Sequence, residues 1–196
     1  TAFPERFINT GVAEQSMIGI CAGQAMTGLQ PFAYTIATFA VFRPFEFVRN
    51  DICYQDLPVT IVGIGGGVVY STLGSTHHAQ EDIAVMKCVP NLEIYAPGDP
   101  QETEAITLHR CDNPQKPAYI RLGKAGEQNL GTMDDFVLSE PRKITTGEHV
   151  CIVGYGPILG LAKSVVDTLE QEDIRVSLYS IHQLKPVNAP ALQRLL

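Results

Sequence analysis

Residues 58–82, PVTIVGIGGGVVYSTLGSTHHAQED, decide the fold. A mostly apolar run from Val59 to Ile64 gives way to three glycines, a loop rich in Ser, Thr and His, and a helix start near Gln80. A short run without polar alternation suits a strand buried on both faces, as in a parallel sheet covered by helices. The same grammar repeats outward in both directions. Arg6 to Asn9, Phe32 to Ile36, Leu92 to Tyr95 and Ala118 to Leu122 read as further strands. Ala13 to Thr27, Pro44 to Tyr54, Gln80 to Cys88 and Gln101 to Cys111 read as the helices between them. Strand and helix in turn predict an α/β fold, a parallel sheet with helices on both faces. One helix start is written out locally: Asp99 as N-cap, Pro100 in the first position and Glu102 in the third.

Past Gly123 the periodicity weakens into Gly, Asp, Glu and Thr. We expect a first domain over residues 1–125, a linker over 126–146 and the truncated start of a second α/β domain over 147–196. That start reads as a strand at Val150 to Val153, a helix at Ile158 to Gln171 and a strand at Arg175 to Ile181. Both ends read as cut: the RFIN run begins with little lead, and Pro190 to Leu196 open a helix that stops.

The chain has 196 residues, 45% of them hydrophobic, enough for one well-buried core and part of a second. Its net charge of −7, with 14 Lys and Arg that form no cluster, argues against a nucleic-acid or anionic-membrane partner. No apolar stretch approaches the roughly 18–20 residues that cross a bilayer, and Thr1 opens no signal-like segment. A cytoplasmic protein is the expectation. Cys21, Cys53, Cys88, Cys111 and Cys151 form no CxxC pair and read as buried reduced thiols.

Three segments carry chemistry. TGVAEQSMIGICAGQAMTG, residues 10–28, is a helix with Gly19, Ala22, Gly23 and Ala25 for close backbone approach. Its Glu14 suits the first turn, where a carboxylate gains from the helix dipole and, with Gly11 as N-cap, completes a capping box. ATFAVFRPFEF, residues 37–47, spaces Phe39, Phe42 and Phe45 by three, as core filling or as a slot for a flat heterocycle. In residues 63–82 the glycines let backbone approach a ligand, without the GK[ST] of a P-loop. His77 and His78 at the lip of that loop can donate hydrogen bonds or move protons; with Glu81 or Asp82 they match no zinc spacing. A separate glycine turn, VCIVGYGPILG at residues 150–160, suggests a Rossmann nucleotide site. Its third glycine is one position late, however, and no acidic residue clearly ends the next strand.

Taken in order, these segments resemble the pyrimidine domain of the transketolase-like thiamine diphosphate enzymes. The resemblance covers about residues 5–125 and continues more weakly to the end, resembling the C-terminal section of a transketolase. It rests on GVAEQSM, on Phe39, Phe42 and Phe45, and on GSTHHAQEDIA followed by PNLEIYAPGDPQE. It implies that Glu14 protonates N1' of the cofactor aminopyrimidine, so that the ring's own amino nitrogen can take the C2 proton. Such a carboxyl must be able to keep a proton near neutral pH, and burial beside aromatic rings favours that because desolvation disfavours the carboxylate. The resemblance puts Phe39, Phe42 and Phe45 around the pyrimidine, turns His77 toward the substrate, and offers Arg121 and Lys124 to a substrate phosphate.

Gly65 and Leu73 stand where sugar-phosphate transketolases usually carry a histidine and an aspartate, a departure that bears on the substrate. The GDG motif that holds Mg²⁺ and the diphosphate is missing. Those groups therefore fall to a diphosphate-binding domain or subunit, the transketolase N-terminal section, and a homodimer through the Glu14 helix is implied. The implied reaction is two-carbon ketol transfer between sugars. Deoxyxylulose phosphate synthesis and a 2-oxo acid dehydrogenase β subunit are the alternatives.

Overall fold

The computed structural model of the protein describes residues 2–195. Helix α1 (Glu14–Met26) buries Ile18, Cys21, Ala22 and Ala25, the three-and-four spacing of one helix face. It stops where Gly28 takes φ +88° and Leu29 donates back to the Gln24 carbonyl at 3.1 Å. Its N-cap is Ala13, which makes no side-chain cap, so Glu14 is the first helical residue. Gly11 does not cap this helix, and the capping box considered for Glu14 does not form.

β1 (Phe32–Ile36) leads into α2 (Ala37–Val41) and α3 (Phe45–Phe47), which widens into a π-helical turn at Val48–Cys53. β2 (Thr60–Ile64), α4 (Asp82–Lys87), β3 (Glu93–Tyr95), α5 (Pro100–Asp112) and β4 (Ala118–Arg121) follow. The four strands lie side by side and parallel in the order β1-β2-β4-β3. Alternation along the strands fills two cores. Ile94 and Tyr119 join the α1 side, while Tyr95, Ala118 and Ile120 meet Ile106 of α5 on the other. Arg6 to Asn9 form no strand: Pro4–Arg6 make a 3₁₀ turn, and Phe7 and Ile8 are exposed. Among the described residues no strand pairs with this segment, so its apolar side chains have no face to bury.

Arg142–Thr145, inside the stretch read as a linker, is a strand, β5. It pairs antiparallel with β7 (Val176–Ser180), which pairs parallel with β6 (Val150–Gly154), and α6 (Ile158–Glu170) connects β6 to β7. Leu159, Val166, Val176 and Leu178 make the core of this second unit. The chain then returns: β8 (Gln183–Lys185) adds to the first sheet, antiparallel to β3. α7 (Ala189–Gln193) is the helix read over 190–196, whose last residue lies outside the described residues.

The two units meet on a buried polar cluster. Asp99 caps α5 at the Glu102 amide and also accepts from Arg142 at 2.8 Å and from the Leu130 amide at 3.0 Å. The Glu102 carboxylate accepts from the Gly98 amide, from Ser180 and from Arg142. The Nε2 of His182 lies 2.8 Å from the Leu138 carbonyl and its Nδ1 3.8 Å from Glu102. Of the cysteines, only Cys21 and Cys53 are buried, and burial pushes their thiols up to about 11 and about 12. Cys88, Cys111 and Cys151 are exposed, against the expectation of buried thiols: Cys88 lies in the turn that ends α4, and Cys111 and Cys151 lie on uncovered sides of α5 and β6. Among the described residues no helix is long and apolar enough to cross a membrane.

Candidate active site

Glu14 is 6% exposed at the start of α1. Both its carboxylate oxygens accept hydrogen bonds of 3.0 Å from Nη1 of Arg43, in the turn between α2 and α3. The guanidinium carbon of Arg43 lies 3.7 Å from the centroid of the Phe39 ring, a stacked cation–π contact. The Phe39 ring in turn meets the His77 imidazole edge-on, with centroids 5.1 Å apart. A carboxylate from one helix, an aromatic face from another and an imidazole from a loop thus converge.

Arg43 was not singled out in the sequence. It is the one charged residue in ATFAVFRPF, residues 37–45, and that interruption of an apolar run is the signal that could have found it. Its chemistry tests the site. A guanidinium is planar and presents N–H donors at its edge, so Glu14 and Phe39 already hold a flat, nitrogen-bearing group between them. A protonated aminopyrimidine presents the same combination, and the residues fit it.

The other sequence candidates are distributed around this centre. Phe42 is 42% exposed, and Phe45 packs against the first core. The Nδ1 of His77 is 2.9 Å from the Thr76 hydroxyl, and its ring is 6.4 Å from that of Tyr70. His78 contacts the Ser71 carbonyl at 3.4 Å. The loop folds tightly because Gly65 takes φ +75°, and a Cβ there would lie 2.0 Å from the Tyr70 ring. Arg121 is buried on Asp82, whereas Lys124 is exposed, with its Nζ 5.6 Å from the Tyr70 ring centroid. Lys124 also lines a cavity of about 370 Å³ with Tyr34, Thr103, Glu104 and Glu127.

Among the described residues no three or more His, Cys, Asp or Glu side chains gather as a metal-binding group. The glycine turn after β6 is engaged with the first unit: Gly156 is buried and donates its amide to the Ala96 carbonyl at 3.1 Å. That amide is not free to meet a dinucleotide.

A parallel α/β sheet with a buried helix-start glutamate that holds a guanidinium against a phenylalanine ring is the geometry of the site; comparison with known proteins gives the family. Residues 1–128 match the family described as transketolase, pyrimidine binding domain, and the chain belongs to that family. It is 33% identical to a subunit of the apulose-4-phosphate transketolase of Phocaeicola vulgatus, over 97% of this chain and 62% of that protein. It is 30% identical to a putative transketolase C-terminal section of Methanocaldococcus jannaschii, over 98% and 61%. Among solved structures it superimposes on a split gene transketolase described as an inactive beta4 tetramer, with TM-score 0.85 and 36% identity. That match covers 98% of this chain and 62% of that one. The chain spans about three fifths of the length of these relatives.

Proposed function

We propose that the chain is the pyrimidine-binding part of a thiamine diphosphate-dependent transketolase, which transfers a two-carbon ketol unit between sugars. The observation that carries this reading is Glu14, buried and facing a planar nitrogen group stacked on Phe39. When bound, the cofactor supplies a carbon nucleophile that no side chain offers. Glu14 holds a proton against N1' of the aminopyrimidine. Phe39 takes one face of the ring, and Phe42 and Phe45 complete the slot. To seat that ring, Arg43 releases Phe39 and at least one Glu14 oxygen, since ring and guanidinium compete for the same partners. His77 faces the substrate, where an imidazole hydrogen-bonds developing negative charge. Lys124 and Arg121 are the candidates for an anionic substrate group.

Mg²⁺ and the diphosphate belong to a partner, the transketolase N-terminal section, on a separate subunit or upstream in the same polypeptide. Relatives that are themselves a single transketolase subunit and a transketolase C-terminal section support that division. A homodimer through α1 is supported by Gly19 and Gly23, around which a Cβ would meet nothing within 4 Å, and by exposed Val12, Ile20 and Met26. The first domain ends near residue 125, a linker follows, and the second domain begins by 147, with β5 reaching back from it. We assign the assembly to the cytoplasm, in keeping with five free cysteines.

Reconstitution with a diphosphate-binding section, followed by titration with thiamine diphosphate and assay of donor-ketose cleavage, tests the proposal. Cofactor-dependent cleavage supports it. Turnover of pyruvate without ketose cleavage would move the chain to the deoxyxylulose phosphate synthase or 2-oxo acid dehydrogenase reaction.

A further inference from the structure

We infer that Arg121 is a positioning residue that clamps the His77 loop and is not itself a ligand of the substrate's anionic group. This inference rests on the role proposed above for His77. Arg121 ends β4 with 9% of its surface exposed. Its Nε donates to Oδ2 of Asp82 at 2.9 Å, and the same oxygen accepts from the Tyr119 hydroxyl at 2.8 Å. Its Nη2 donates to the Ala79 carbonyl at 3.0 Å. Ala79 and Gly67 exchange both backbone hydrogen bonds, each 2.8 Å, and so close the loop at its base. On the glycine side, the Gly65 and Gly66 amides donate to the Gly123 and Leu122 carbonyls, immediately after Arg121.

The close fit to Gly66 shows how fully the guanidinium is enclosed. A Cβ on Gly66 would fall 2.5 Å from both Nε and Cζ of Arg121, so the side chain lies flat on bare backbone. The remaining nitrogen, Nη1, faces the second unit, 3.8 Å from where a Gly156 Cβ would stand. Two of the three nitrogens are therefore bonded within the protein. A substrate phosphate would have to break a buried ion pair to reach them. An Arg fork suits this work, since a planar group can bridge a carboxylate and a carbonyl where a lysine point charge cannot.

The loop held in this way carries His77 two residues before Ala79, against Phe39. Loss of the clamp lets His77 drift from the reacting atoms, and small displacements there act on rate rather than on binding. A residue that grips the phosphate has the opposite signature, a higher KM for phosphorylated substrates alone.

The test uses the enzyme assembled with its diphosphate-binding section, assayed with a phosphorylated donor ketose and its unphosphorylated counterpart. Arg121→Lys and Arg121→Met should lower kcat about tenfold or more for both donors while leaving the ratio of their KM values unchanged. Gly66→Ala, which changes no charge, should reproduce that loss by displacing the guanidinium. Lys124→Ala should raise KM about tenfold for the phosphorylated donor only. The inference is overturned if Arg121→Met selectively raises KM for the phosphorylated donor with kcat retained. If the wild-type assembly cleaves no ketose, the functional reading fails, and the clamp is judged separately. In that case the His77 imidazole resonances and amide exchange over residues 67–79 should change in Arg121→Lys; unchanged spectra in Arg121→Lys would reject the clamp.

Discussion

Glu14 pairs with the cation of Arg43, which in turn lies on the face of Phe39. Arg43→Met keeps most of the side chain's length and removes the charge, so Glu14 loses both its hydrogen bonds. Breaking a fully buried pair costs roughly 3–5 kcal/mol; here the Arg43 side chain is 39% exposed, and about 2 kcal/mol is expected. Melting of the assembled variant should drop without cofactor and recover more than wild type when thiamine diphosphate is added. An equal cofactor shift in both proteins would mean that guanidinium and ring do not compete. At this scale the sequence was informative in part. Glu14 and His77 stood out because their motifs are local, whereas Arg43 acts through a partner 29 residues away, a distance no spacing rule reaches.

The helix α5 was legible because its start signal is contained in four residues, and Asp99 does accept from the Glu102 amide as read. The rest of that carboxylate's work was hidden: its other oxygen meets Leu130 and Arg142, 31 and 43 residues on. β5 was missed for the same reason, since RKIT has no apolar run and becomes a strand only by pairing with β7. Arg6 to Asn9 failed in the opposite way, an apolar run with no neighbouring strand among the described residues. Asp99→Asn retains a cap, whereas Asp99→Ala removes cap and ion-pair partner together. The alanine variant should cost about 1 kcal/mol for the cap and roughly 3–5 kcal/mol for the broken buried pair. The urea midpoint should fall sharply for alanine and less for asparagine; an asparagine midpoint equal to wild type, with only alanine lowered, would show that Asp99 contributes only as a cap.

Across the whole molecule, β8 stitches the second unit to the first sheet, and the Asp99, Glu102, Arg142, Ser180 and His182 cluster fills the joint. None of this was legible, because each contact spans two segments that read as independent. Burial holds the His182 imidazole below its ordinary value of 6.5, against the pull of Glu102 and Asp99 and with the help of Arg142. The unfolded chain therefore takes up this proton at a higher pH than the folded one. Stability is unaffected above about pH 6.5 and declines as the pH falls below it toward the folded value. His182→Gln should flatten that decline in urea titrations between about pH 7 and 5; a slope identical to wild type would exclude His182 as its source. The parallel sheet was legible from its apolar runs, and the proposed activity rests on the buried Glu14 carboxyl at the start of α1. The most direct test is Glu14→Gln in the assembled enzyme, which keeps size and burial but cannot exchange a proton with N1'. Donor-ketose cleavage should fall by more than about a hundredfold with the circular dichroism spectrum unchanged; near-native cleavage would contradict the role given to Glu14.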